Sequence, residues 1–384
     1  MKIIVIGGDG FCGWPTSLHL SNLGHDVMII DNLIRRKIDI DLGVKSLTPI
    51  STIEQRLTAW KNVYGKEILF QNLDVSVDVE ALRNAVRSFK PNVIIHFGEQ
   101  RAAPYSMKDY KTRLYTVTNN LGSTTNILNS IADLDPSIHL VHLGTMGVYG
   151  YNGSGHEIPE GYIDATLHFE GGDVRDKITY PPNPGSVYHA TKVMDAQLFK
   201  FYAANSNLKI TDLHQGIVWG TQTELTRVDP KLMNRFDYDG DFGTVLNRFL
   251  IQSAIKYPLT VHGTGGQTRA FINIQDTCKC IELAISNPPD ELGEVKIRNQ
   301  ISETQSVISL ANIISEMTGA EINFLDNPRN EASSNTLIVS NKSFRDIGFN
   351  PITIKNDLIR EITESVVPYV DRINLEKIIA KSKW

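Results

Sequence analysis

The sequence predicts an α/β protein, with a doubly wound parallel sheet followed by a smaller α/β substrate lobe. Three observations carry this. Short stretches rich in Ile, Val and Leu alternate with helix-length segments up to about residue 220. A glycine-rich turn joins the first of these stretches to the first helix. Beyond residue 220 the alternation loosens and the loops turn polar. A βαβα order is the pattern of a parallel sheet covered by helices on both faces.

Six stretches read as strands: Lys2–Ile6, Asp26–Ile30, Ile68–Leu73, Asn92–Phe97, His139–Leu143 and Lys209–Leu213. Each is short and almost continuously apolar, as expected of strands buried on both faces. Between them, Thr16–Leu23, Ile53–Tyr64, Val77–Phe89, Tyr110–Ala132 and His189–Asn205 read as helices. The later strands are Leu259–His262, Ala270–Ile274, Val295–Arg298 and Glu321–Phe324. The later helices are Val245–Ile255, Val307–Met317 and Leu358–Val366. With 384 residues, this gives a nucleotide domain over 1–220 and a substrate lobe over 221–384, with an interleaved border.

Composition narrows the class. Hydrophobic residues at 41% and charged residues at 21% fit a globular chain rather than a disordered or fibrous one. A net charge of −5 is too balanced for a nucleic-acid or membrane binder that works by bulk charge. Three cysteines fit a reducing compartment, and cytoplasm is the expectation. Cys278 and Cys280 lie in a helix-like stretch and read as packing, so no metal is expected. The first apolar run is too short for a signal segment or a membrane span.

Gly7-Gly8-Asp9-Gly10-Phe11-Cys12-Gly13 follows the first strand. Glycines here permit a tight turn, close backbone approach to a pyrophosphate, and packing of the helix on the sheet. The helix N-terminus adds N–H donors and partial positive charge. This is a Rossmann-type arrangement, with Gly7, Asp9, Gly10, Phe11, Cys12 and Gly13 as the phosphate loop; Cys12 reads as packing rather than redox. Asp31 ends the second strand, 18 residues after Gly13. A carboxylate there accepts both ribose hydroxyls and repels a 2′-phosphate, which points to NAD. Arg35 and Arg36 point the other way, since an arginine can hold that phosphate; NAD is the expectation. Asp74-Val75 ends the third strand, and Asp74 lies beside the adenine or caps the next helix. Asn32, Arg35, Arg36 and Asn119 complete the expected cofactor set.

Tyr188-His189-Ala190-Thr191-Lys192 has YxxxK spacing in a predicted helix, so phenol and ammonium share a face. An ammonium beside a phenol lowers its pKa and makes a proton acceptor. Thr145 ends the fifth strand, at the edge where open α/β sheets bind ligands.

The glycine loop, Thr145 and Tyr188/Lys192 together resemble the extended short-chain dehydrogenase/reductase superfamily. Longer strings narrow the likeness: Asp31-Asn32-Leu33-Ile34-Arg35-Arg36, His96-Phe97-Gly98-Glu99-Gln100-Arg101, Leu143-Gly144-Thr145-Met146-Gly147 and Gly265-Gly266-Gln267-Thr268-Arg269 are similar to the UDP-sulfoquinovose synthase family. The likeness covers nearly the whole chain. It implies conversion of UDP-glucose and sulfite to UDP-sulfoquinovose through a 4-keto-5,6-ene, with NAD bound and regenerated, for sulfolipid or glycan synthesis. It assigns the C4 hydroxyl proton to Tyr188, a bond to the C4 oxygen to Thr145, and the nicotinamide ribose to Lys192. It also implies a homodimer or higher homo-oligomer, and Tyr110–Ala132 with His189–Asn205 would supply a two-helix face.

Nucleotide-sugar 4,6-dehydratases resemble this chain but carry Asp-Glu after the threonine. Here Met146-Gly147 stands instead, and neither residue moves a proton. His189 is a candidate replacement, although one helical step turns it about 100° from Tyr188; the alternative is helix packing. Glu99 and Gln100 are further candidates. Arginine suits a pyrophosphate. By resemblance Arg101 lies near sugar and sulfite and Arg269 on the pyrophosphate, with Arg329 a second clamp. Gln215 and Asn247 are expected at sugar and uridine phosphate, and Thr260 and His262 beside uracil. Two other readings stay open: a UDP-sugar 4-epimerase, and a scaffold that binds NAD without turnover.

Overall fold

Ile3 and Val5 face one hydrophobic core, and Ile4 and Ile6 face another. This is why the first strand reads as an unbroken apolar run. In the computed structural model, which describes residues 1–150, 155–327 and 332–378, that strand is β1 (Lys2–Ile6). The chain continues through α1 (Gly13–Asn22), β2 (Asp26–Asp31), α2 (Ile34–Leu42), α3 (Ile53–Tyr64), β3 (Ile68–Asn72), α4 (Val79–Phe89) and β4 (Val93–His96). Next come α5 (Ala103–Met107), α6 (Tyr110–Leu134) and β5 (His139–Thr145). The helices begin where the sequence provides caps. Asp78 accepts from Ala81 N at the start of α4, which then buries Leu82, Ala85, Val86 and Phe89 on one face.

A short strand β6 (Glu157–Ile158) and a hairpin, β7 (Tyr162–Phe169) with β8 (Gly172–Thr179), follow. The hairpin is absent from the sequence reading, although Ile163, Ala165, Leu167 and Phe169 alternate and Glu170-Gly171-Gly172 marks the turn. Then come α7 (Val187–Ser206), β9 (Lys209–Gln215), β10 (Ile217–Trp219) and α8 (Glu224–Arg227). The last third holds α9 (Val245–Ala254), β11 (Leu259–His262), β12 (Thr268–Asn273), α10 (Ile274–Ser286), β13 (Val295–Gln300), β14 (Glu303–Ser306), α11 (Val307–Thr318), β15 (Ile322–Leu325) and β16 (Ile338–Val339).

The main sheet has seven strands in the order β13-β9-β5-β4-β1-β2-β3, all parallel. The chain therefore crosses the border expected at residue 220. β13 pairs with β9 along Val295–Gln300, and α10 packs on α1. The remainder of the second lobe builds its own core from Trp219, Phe236, Phe249, Phe271, Leu310 and Leu358. Two small sheets, β10-β12-β14 and β11-β15, frame that core.

Candidate active site

Strand order reverses between β1 and β4, and a crevice opens at the C-terminal ends of such strands. Here it is a cleft of about 420 Å³ that runs from Asp31 past the glycine loop to Tyr188 and on to Arg269. Every expected site residue lines it except three. Arg329 lies outside the described residues. Thr260 is buried away from the cleft, where its hydroxyl accepts from Gln252 Nε2 at 2.8 Å. Arg36 points instead at the glycine loop.

At its glycines that loop has no room for a side chain. Gly7 has φ +79°, and a Cβ on Gly13 would lie 2.1 Å from Gly7 O. The backbone is thus drawn close enough to cradle a diphosphate, as a dinucleotide requires. Asp9 is held by two arginines. Arg36 donates from Nε at 2.6 Å and Nη2 at 2.8 Å, and buried Arg56 donates from Nη1 at 2.7 Å. Burial opposes the Asp9 charge, but these guanidiniums hold its carboxyl below the ordinary range. Arg35 binds Asp39 and Asp237 and stacks 3.6 Å over the Phe242 ring. Both arginines are therefore engaged by carboxylates, Arg36 by Asp9 and Arg35 by Asp39 and Asp237. Asp31 accepts from Asp9 N at 2.9 Å and Leu33 N at 2.7 Å; burial and the Asp9 charge raise its carboxyl to about 6. Asp74 accepts from Asn32 Nδ2 at 2.9 Å and Ser76 Oγ at 2.6 Å. It does not cap α4, since Asp78 does. The Cys12 thiol is pushed up to about 12 by burial, so it is inert.

At the other end, Ser186 caps α7 and places Tyr188 and Lys192 in its first turns. Thr145 hydrogen-bonds the Tyr188 phenol, while its Oγ1 also accepts from Gly147 N at 3.1 Å. The expected lowering of the phenol does not dominate. Burial and the nearby Glu99 carboxylate push Tyr188 up, against the pull of Lys192 and Thr145. Lys192 is bound to Glu99 Oε2 at 2.7 Å and to Leu143 O at 2.7 Å. Burial opposes its charge, but Glu99, Tyr188 and Asp195 together overcome it and raise the ammonium above its ordinary value. Glu99 thus serves Lys192 rather than the sugar, and Gln100 is absorbed in bonds to Ala102 O at 3.1 Å and Thr116 Oγ1 at 3.0 Å. Glu99, His142 and Asp195 bring ligand-type atoms within 4.8 Å, but the Lys192 ammonium already occupies that place.

His189 reaches the cleft despite its helical offset from Tyr188. A Cβ on Gly147 would lie 2.2 Å from its Cδ2 and 2.3 Å from its Nε2, so the ring fills that side-chain space. Ser186 Oγ accepts from His189 N at 3.2 Å and lies 3.1 Å from Nδ1, which fixes the ring.

The family model for the NAD dependent epimerase/dehydratase family matches residues 3–296. UDP-sulfoquinovose synthase of Spinacia oleracea, a chloroplastic protein, is 41% identical over 100% of this chain and 79% of its own length. The protein of that name from Sulfolobus acidocaldarius is 36% identical over 100% of this chain and 98% of its own. The chain belongs to the UDP-sulfoquinovose synthase family. Among solved structures, a UDP-glucose-4-epimerase from Stenotrophomonas maltophila with bound NAD shares the fold with a TM-score of 0.72, at 18% identity over 97% of this chain and 98% of that one. A UDP-glucuronic acid 4-epimerase from Bacillus cereus gives 0.67, at 22% identity over 97% and 100%. NAD is the cofactor of this UDP-sulfoquinovose synthase family member, and the glycine cradle and Asp31 suit it.

On the sugar side of the cleft, Arg101 Nη2 donates to Asp237 Oδ2 at 2.6 Å. Asp237 also meets Arg35 and Arg235, at 3.2 and 2.9 Å. Burial opposes its ionisation, but the three guanidiniums hold it far below the carboxylate range. Within this cluster three guanidiniums face two carboxylates, Asp237 and Asp39, while Asp239 and Asp241 line the cleft beside them. Arg235 and Asp237 were missed in the sequence, where they stand in a run that reads as a polar loop.

Proposed function

We propose that the chain catalyses the joining of sulfite to UDP-glucose to give UDP-sulfoquinovose. The observation that carries this is the pairing of Thr145, Tyr188 and Lys192 with a Gly147 whose side-chain space is taken by His189. Tyr188 removes the C4 hydroxyl proton while Thr145 holds the C4 oxygen. Lys192, fixed by Glu99, keeps a positive charge beside the phenol. NAD, held by the glycine loop and Asp31, would supply the acceptor for the C4 hydride and its return. The 4-ketone acidifies C5–H, and His189 moves the protons at C5 and C6 as the C6 hydroxyl leaves. Sulfite then adds to C6 of the conjugated alkene. Arg101 and Arg269 bind the anionic groups of sulfite and pyrophosphate, with Gln215, Asn247 and His262 contacting the UDP-sugar.

We read the molecule as a cytoplasmic homo-oligomer. Three buried cysteines without disulfides suit a reducing compartment. Tyr110 and Leu114 on α6 and Met194 and Phe201 on α7 are exposed apolar groups at the expected two-helix face. No helix among the described residues is long and apolar enough to cross a membrane.

The test is incubation of NAD-loaded protein with UDP-glucose and sulfite, followed by mass spectrometry. The expected product is an anionic UDP-sugar that needs both substrates. Its absence with NAD confirmed bound refutes the reading, and UDP-galactose formed without sulfite replaces it with an epimerase.

A further inference from the structure

Leu33 has φ +57°, in the left-handed region that a bulky side chain rarely adopts. It forms the turn between β2 and α2, and two bonds pin that turn. Leu33 N donates to Asp31 Oδ1 at 2.7 Å, and Ile34 N donates to Asn32 Oδ1 at 3.0 Å. Backbone strain of this kind persists only where the surroundings over-determine it. The turn starts α2 directly after Asp31 and sends its first two arginines to different carboxylates. Arg35 meets Asp39 and Asp237, while Arg36 comes back to Asp9 in the glycine loop.

Asp9 lines the cleft and Arg36 does not, so the carboxylate screens the guanidinium from the cleft. Arg36 Nε donates to Asp9 Oδ2 at 2.6 Å, and its Nη2 donates to Asp9 Oδ1 and to Ser51 O, each at 2.8 Å. Asp9 is also joined to Asp31. Asp9 N donates to Asp31 Oδ2 at 2.9 Å, and the Asp9 charge helps to lift the Asp31 carboxyl. A group bound by Asp31 therefore lies beside Asp9 as well.

NAD and NADP differ by one phosphate, on the 2′-oxygen of the adenosine ribose. An arginine near the end of the second strand is the usual means of accommodating that phosphate. Arg36 stands in that part of the chain, five residues after Asp31. Its bond to Asp9 uses Nε and Nη2, the fork that would grip a phosphate. Arg56 cannot replace it. That side chain is buried, donates to Met233 O at 3.0 Å and stacks over Trp14.

We propose that Asp9 is a specificity-determining residue: it ties up Arg36 and sets a second carboxylate beside the adenosine ribose, so that Asp9 and Asp31 refuse NADP jointly. The inference rests on NAD being held by the glycine loop and Asp31, and it is independent of the sugar chemistry. Asp31→Asn removes one carboxylate but leaves Arg36 bound to the other. Adding Asp9→Asn frees the fork. The new amide oxygen still accepts from Arg56, but two guanidiniums around a neutral amide repel each other. Arg56 is fixed by Met233 and Trp14, so Arg36, 26% exposed, is the one that turns to the cofactor.

The test is calorimetric titration of cofactor-stripped protein with NAD and with NADP. Wild type is compared with Asp31→Asn, Asp31→Asn/Asp9→Asn and Asp31→Asn/Asp9→Asn/Arg36→Met. Asp31→Asn alone should still bind NADP at least about ten-fold more weakly than NAD. Adding Asp9→Asn should raise NADP affinity at least about ten-fold, and adding Arg36→Met should take that gain away. Equal affinities for the two cofactors in Asp31→Asn overturn the proposal. So does a gain in NADP affinity that is absent from the double variant or survives Arg36→Met. Weakening of both cofactors together in the double variant gives Asp9 a structural part only and overturns it too. The Asp31→Asn comparison decides the matter where chains without Asp9 do not fold. No sugar or sulfite is present, so these outcomes are separate from those of the product assay.

Discussion

The imidazole of His189 stands where a side chain on Gly147 would have to stand. A dehydratase-like glutamate at 147 and this histidine therefore exclude each other. Gly147→Ala is expected to displace the ring and lower turnover about a hundred-fold, the usual scale for loss of a general acid–base group. His189→Ala should produce the same loss with little change in UDP-glucose KM, because the group acts on protons rather than on binding. If His189→Ala keeps wild-type turnover, the ring is only packing.

Asp31 predicts how cofactor affinity depends on pH. Its carboxyl sits at about 6, so it is ionised at neutral pH and protonated at pH 5. The ionised form accepts both ribose hydroxyls, and the neutral form loses part of that. NAD affinity of cofactor-stripped protein, measured by calorimetry, should weaken as pH falls through about 6. Asp31→Asn should flatten this dependence and narrow the preference for NAD over NADP.

Asp195 makes a prediction for stability. Burial and the Glu99 charge raise its carboxyl from 3.8 to about 8. The folded state thus holds a proton that the unfolded chain gives up, and stability falls as pH rises from about 4 towards 8. Asp195→Asn removes the titration and keeps the shape. Thermal melts should show a smaller drop in Tm between pH 5 and pH 8 in the variant than in wild type.

Arg56 anchors the glycine loop from below. Its side chain is 1% exposed, bonded to Asp9 and Met233 O, and stacked 4.1 Å over Trp14. Arg56→Met leaves Asp9 buried with Arg36 alone. Breaking a buried pair on one side costs roughly 3–5 kcal/mol. Denaturant unfolding should show a loss of that order, with weaker NAD binding because the loop is no longer held.

The residues that read clearly in the sequence are those whose environment is uniform. β1 and β4 are apolar on both faces, and the glycine loop needs its glycines for backbone geometry alone. Thr145, Tyr188 and Lys192 were legible because strand end and helix spacing fix their direction. What stayed hidden depends on distant partners. Nothing local says that Glu99 will meet Lys192, or that Asp237 will collect Arg35, Arg101 and Arg235. A sign was present for buried polar contacts, in His139, His142, Asp212 and His214 placed inside strands that also carry Leu, Ile and Val. For His189 the helical offset alone does not reveal the hollow at Gly147, which exists only in three dimensions.

The seventh strand sets an order on synthesis. β13 ends at Gln300, so β9 keeps an open edge until about four-fifths of the chain has left the ribosome. An uncovered parallel edge is a template for pairing with other chains. Fragments that stop near residue 220 should therefore aggregate rather than yield a free-standing cofactor-binding unit.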